Sequence, residues 1–287
     1  MSKVGIHLLT WTPTLDDHAV DLFRKAKDMG FDGVEIFLPD PLNIKFAFVR
    51  KLRAELDRLG LECTGSAGLQ RNENLVDDDP EIRKRGMAYL KRFIDISADL
   101  RVEILAGVLY GTFEMSVGRP RTEEEWNRAV QLLQEAADYA KEKNVVLGLE
   151  VINRYETYFL NTAADGTRLA REIGRDNVKV HLDTYHMNIE EKDFYHPIVE
   201  TGSYLGHMHC CANDRGVPGS GNIDWDQVFK GLAEIKYRGW LTIETFVSHL
   251  EGVPVASSVW RPLAKDADEV PRKGCEFIRA KAKEYGL

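Results

Sequence analysis

The sequence predicts an α/β fold: a closed (β/α)8 TIM barrel, with residues 1–287 as a single domain. Three observations point there. A short apolar or β-branched run, a polar loop and a longer amphipathic segment recur about eight times in order. The chain has 287 residues, a length that suits one barrel of this kind. No glycine fingerprint follows the first strand, and no Pro/Ser linker or composition shift marks a second domain. A doubly wound open sheet competes on the same alternation, but the unbroken repeat favours closure.

The elements follow from periodicity and punctuation. Val4–Leu9 reads as the first strand. Leu15–Met29 carries apolar residues at helical spacing and ends at Gly30. Gly33–Phe37 is the second strand, Lys45–Leu59 a helix stopped by Gly60, and Leu61–Gly65 the third strand. Pro80–Ala98 opens on proline behind the acids Asp77–Asp79, a favourable helix start. Val102–Ala106 is the fourth strand, and Thr122–Lys143 a helix with a threonine cap and an acidic first turn. Val145–Val151, Val178–Asp183, Leu205–His209 and Trp240–Glu244 complete the strands. Thr162–Ile173, Asp193–Thr201, Trp225–Ile235 and Asp266–Tyr285 complete the helices. Val247–Lys265 is a long loop, read as a lid or a subunit contact.

Composition narrows the function. A net charge of −8 disfavours nucleic acid and anionic membranes, which need a basic face. No apolar run approaches the ~20 residues of a membrane span, and MSKVGIHLLTWTP is too short in apolar residues for a secretory leader. A cytoplasmic location is therefore expected. Cys63, Cys210, Cys211 and Cys275 show no CxxC spacing, in keeping with a reducing compartment. Cys210 and Cys211 read as inert buried thiols.

The chemistry lies at strand ends. The last four strands finish on Glu150, Asp183, His209 and Glu244. In a parallel barrel all four share one rim, where barrel active sites form. Taken singly, each acid also fits a loop cap or surface ion pair; four in register are far more specific. Three carboxylates and one imidazole suit a divalent cation, Mn²⁺, Co²⁺ or Mg²⁺. Such a cation polarises a sugar carbonyl and acidifies the neighbouring C–H. A carboxylate on each face of the substrate would then invert that carbon, whereas one working alone would move the proton between carbons.

The segments KVGIH, GFDGVEI, LEVINRYETYFLNTA, LDTYHMNIEE, GHMH, LTIETF and VWR span nearly the whole chain. In them the sequence resembles the ketose 3-epimerases (D-tagatose, D-psicose or allulose, and L-ribulose 3-epimerases) of the xylose isomerase-like barrels. The resemblance implies an isomerase that inverts C3 of a free ketose. It implies Mn²⁺ or Co²⁺ held by Glu150, Asp183, His209 and Glu244, with Glu150 and Glu244 as the acid–base pair. His186 and Arg215 would hold oxygens near the carbonyl, and Glu156 the terminal hydroxyl end. A homodimer or homotetramer is implied as well. Two regions depart from the family pattern: His7 stands where an aromatic or apolar residue commonly meets the sugar, and Cys211, Ala212 and Asp214 replace a usual Gly-Glu pair and Asn. His7 is therefore taken as a substrate contact specific to this chain. His207 is expected to be structural and to face away from the barrel interior. Phe113, Trp11, Leu38 and Phe246 are candidates for the pocket wall. An aldose–ketose or tetrulose isomerase on the same metal site, and a non-catalytic sugar-binding barrel, are the alternatives. A polyol dehydratase fits less well. An endonuclease would need more histidine ligands and a basic groove.

Overall fold

The computed structural model describes residues 1–113, 117–246 and 258–287. The eight strands are β1 (Lys3–His7), β2 (Gly33–Phe37), β3 (Glu62–Leu69), β4 (Leu105–Thr112), β5 (Leu147–Glu150), β6 (Val178–Asp183), β7 (Leu205–His209) and β8 (Trp240–Ile243). They follow one another around a closed barrel. Every neighbouring pair is parallel, and β8 returns to β1 through Ile6 opposite Ile243. The helices among the described residues are α1 (Ala19–Asp28), α2 (Phe46–Leu59), α3 (Pro80–Leu100), α4 (Glu123–Glu142), α5 (Ala163–Ile173), α6 (Thr184–Glu190), α7 (Tyr195–Thr201), α8 (Trp225–Glu234) and α9 (Glu269–Glu284). Their apolar stripes, Phe23, Leu52, Leu90, Phe93 and Leu133 among them, are fully buried against the strands.

Local chemistry sets the boundaries. Asp79 caps α3 ahead of Pro80, and Thr122 forms a capping box with Glu125 at the start of α4. Gly60 and Gly174 close α2 and α5 in the left-handed conformation. β1 is shorter than its apolar run, because Leu8–Thr10 turns into a 3₁₀ helix capped by the His7 ring. β4 runs on to Thr112, since the segment containing Gly107 and Gly111 is buried throughout. Helix α6 was not expected: its N-cap is Asp183, whose side chain accepts the Tyr185 N–H. The strand-end acid thus starts a helix at once, leaving no loop for a composition signal to mark.

Gly107 sits at φ +124°, and a Cβ there would lie 2.0 Å from the Ala67 carbonyl oxygen. Backbone strain and overpacking together cost on the order of 2–5 kcal/mol. Gly107→Ala is expected to lower the denaturant midpoint accordingly; an unchanged midpoint would refute this close approach of β3 and β4.

Candidate active site

Glu150, Asp183 and His209 are the final residues of β5, β6 and β7, and Glu244 stands one residue past β8. All four therefore lie at the carboxyl-terminal rim. The structure groups them in two overlapping sets. Ligand atoms of Asp183, His209, Cys211 and Glu244 lie within 4.8 Å of one another, as do those of Glu150, Asp183 and His186. Asp183 joins the two.

Arg215 holds the centre. Its Nη1 donates to Asp183 Oδ2 at 2.6 Å and to Glu244 Oε2 at 2.7 Å. The guanidinium is buried and stacks on Tyr185, 4.0 Å from the ring centre. The Arg215 backbone has φ +64°, and its carbonyl accepts the Thr245 hydroxyl. A left-handed turn thus folds this guanidinium inward, into the site. His186 accepts the Asn153 backbone N–H at Nδ1, 3.2 Å away. Its Nε2 then faces Glu150 and Asp183, each at 3.8 Å. Asn153 Nδ2 also donates to Glu156 Oε1 at 2.7 Å, so one amide orients both neighbours. Glu156 is not tied to Arg154, which forms a bidentate pair with Glu190 instead. Asn153 lies in the LEVINR segment, but sequence offers no sign of which neighbours its amide will reach.

His7 Nδ1 accepts the Leu9 N–H at 3.2 Å. Its Nε2 is buried without a hydrogen-bond partner among the described residues, 3.7 Å from Glu35 Oε1 and 3.9 Å from Glu244 Oε1. A cavity of about 310 Å³ opens over these groups. His7, Ser66, Glu150, Glu156, Tyr185, His186, Arg215 and Glu244 form its polar side; Leu9, Pro13, Phe37, Ala67, Gly68, Val108, Phe113, Ile152 and Phe246 line the rest. Trp11 and Leu38 are not part of this wall. Trp11 donates to Asp268 at 3.0 Å, and Leu38 is wholly in the core. Most of the Val247–Lys265 loop lies outside the described residues; its Trp260 is 72% exposed, and Arg261 pairs with Asp214 at 3.0 Å.

Beneath the rim the interior is unusually polar. His207 was expected to face away from the barrel interior, but it points inward and is fully buried. Residues two apart on a strand share a face, so His207 and His209 look the same way. His207 Nε2 lies 2.6 Å from Glu35 Oε2, and His209 Nε2 2.7 Å from Glu35 Oε1. Thr64 donates to Glu35 Oε2 at 2.7 Å. His181 packs on His209 with ring centres 4.1 Å apart. Sequence reading passed over Glu35 and His181. The one local sign was an acid set in the apolar run GVEIF, level with His7 on the next strand.

The titrating groups are pushed apart. Burial, then the nearby Glu244 and Asp183, raise Glu150 well above the carboxylate range against the pull of His209. Burial also opposes ionisation of Glu244, but Arg215 and His209 outweigh it and hold that carboxyl low. Burial lowers His186 and His7, keeping both rings neutral.

Do these residues fit a divalent cation? His209 Nδ1 is buried with no hydrogen bond among the described residues, 3.4 Å from Glu244 Oε2. Burial lowers the affinity of that ring for a proton, yet Glu35 and Glu244 raise it well above normal. The field that favours a proton there favours a metal cation as well. Oxygen donors with one imidazole match Mn²⁺, Co²⁺ or Mg²⁺. Cys211 is close, but burial and Asp183 push its thiol up, so it stays protonated and is a poor ligand. The residues fit.

This fold and rim define the class, and comparison with known proteins agrees. The family model for the xylose isomerase-like TIM barrel matches residues 23–281. A ketose 3-epimerase of Arthrobacter globiformis is 34% identical over 97% of this chain and 96% of its own. A D-psicose 3-epimerase of Ruminiclostridium cellulolyticum is 34% identical over 93% and 92%. A solved D-allulose 3-epimerase from Methylomonas sp., in complex with D-allulose, superposes with a TM-score of 0.92 at 34% identity, covering 98% of this chain and 97% of its own. The chain belongs to the ketose 3-epimerases, an isomerase family within the xylose isomerase-like barrels. Among the described residues no helix is long and apolar enough to cross a membrane.

Proposed function

We propose that the protein is a metal-dependent epimerase that inverts C3 of a free ketose through a cis-enediolate. One observation carries the reading: Glu150 and Glu244, at the ends of β5 and β8, both line one cavity, and a ligand oxygen of Asp183 lies within 4.8 Å of each. A divalent cation, Mn²⁺ or Co²⁺, with Glu150, Asp183, His209 and Glu244 as its ligands, would supply the polarisation that acidifies the C3–H. Glu244 removes the C3 proton on one face, and Glu150 returns one on the other. The reverse reaction exchanges their roles. Arg215 and the His186 Nε2–H hold the oxygens on which negative charge develops. Glu156 accepts from the terminal hydroxyl end, and the His7 Nε2–H donates to a sugar oxygen. The resemblance also supports a homodimer or homotetramer, checked by light scattering, and the four free cysteines support a cytoplasmic location.

The test is a scan of tetruloses, pentuloses and hexuloses in D₂O, with the exchange position read by NMR. Deuterium at C3 with inversion is expected. Deuterium at C1 alone would make the enzyme an aldose–ketose isomerase instead. Binding with no exchange anywhere would leave a sugar-binding barrel.

A further inference from the structure

We infer that Glu35 is a positioning residue for the metal: its carboxylate reaches from β2 across the barrel and turns His209 so that Nδ1 faces Glu244. The inference rests on the cation site proposed above. An ionised carboxylate only accepts, so His209 Nε2, 2.7 Å from Glu35 Oε1, must carry a proton. Nδ1 is then the nitrogen left to exchange its proton for a metal, and it is buried without a hydrogen bond among the described residues. A ligating imidazole whose second nitrogen donates to a carboxylate is a recurring way of fixing tautomer and ring orientation.

Glu35 is itself held tightly. Its Oε2 receives the Thr64 hydroxyl at 2.7 Å and faces His207 Nε2 at 2.6 Å. Thr64 is its register partner on β3, whereas both histidines stand on β7. β2 and β7 are not neighbours, so the side chain spans the interior. Its length matters: aspartate is shorter by one C–C bond, about 1.5 Å, which takes the carboxylate out of hydrogen-bond reach. Glu35 is completely buried and lines no part of the cavity, so it does not touch substrate.

The test separates affinity for metal from stability of the fold. Mn²⁺ binding is measured by the EPR signal of free Mn²⁺, and the melting temperature of the metal-free protein is measured alongside. Glu35→Gln keeps the volume but loses the charge, and Glu35→Asp keeps the charge but loses the reach. Both are expected to weaken Mn²⁺ binding about 10- to 100-fold. Thr64→Val, which leaves the Oε1–His209 bond in place, is expected to weaken it less. A second measurement needs no variant: ¹⁵N-histidine spectra of the wild-type protein should show His209 keeping its Nε2 proton when Zn²⁺ is added, with Nδ1 the nitrogen that shifts. Wild-type Mn²⁺ affinity in Glu35→Gln, or a shift at Nε2 instead of Nδ1, would overturn the inference while the metal site stands. A fall in metal-free melting temperature with affinity unchanged would reduce Glu35 to a structural tie. If the wild-type protein binds no divalent cation, the metal reading fails first and this inference falls with it.

Discussion

Glu150→Gln and Glu244→Gln are each expected to cut inversion at C3 of a ketose to a small fraction of the wild-type rate. Glutamine matches glutamate in shape but takes up no proton, so each variant removes one face of the exchange. Loss of a positioned acid or base costs on the order of 10²–10⁴-fold in rate. The variants should differ in a second respect. Glu244 accepts from Arg215 at 2.7 Å and stands 3.4 Å from His209 Nδ1, so losing its charge also loosens the guanidinium. Glu150 makes no contact of that kind with Arg215 among the described residues; its carboxylate faces His181 and His186 at 3.8 Å. Glu244→Gln is therefore expected to raise KM as well as lower kcat, and Glu150→Gln to act chiefly on kcat. Wild-type inversion in either variant would remove that residue from the pair.

Stripping divalent cations with a chelator is expected to reduce activity to background, and Mn²⁺ or Co²⁺ to restore it. Without a cation, Asp183 and Glu244 share Arg215 as their directly bonded counter-charge. Binding should also stabilise the fold, because a ligand selective for the native state adds RT ln(1 + [L]/Kd), about 2.7 kcal/mol at a hundredfold excess over Kd. A melting curve with and without Mn²⁺ reads this directly. Full activity after exhaustive chelation would refute the metal reading.

The rim was legible in the sequence because it depends only on where strands end. A β-branched run closed by an acid or histidine, repeated four times, leads to one face of any parallel barrel. The interior was not legible in that way. Which side chains fill it depends on strand stagger, and Glu35 finds its partners across the barrel on β7. His207 was misassigned through a parity error: two residues from His209 on one strand, it must share that residue's face, and the sequence alone suffices to show it. Helix α6 escaped notice because Asp183 both ends the strand and caps the helix. The roles of Asn153 and Arg215 rest on loop conformation: a backbone N–H aimed at His186, and a left-handed turn that folds a charged side chain inward.

The reach of Glu35 from the second strand to the seventh also bears on how this chain tolerates recombination. Splicing in the opening quarter of another barrel would keep Glu150, Asp183, His209 and Glu244 in place yet remove the anchor of one imidazole. A chimera of that kind is expected to fold and to lose cation affinity, and restoring glutamate at position 35 should recover it. Segments that never meet along the backbone are in this respect inherited as a pair.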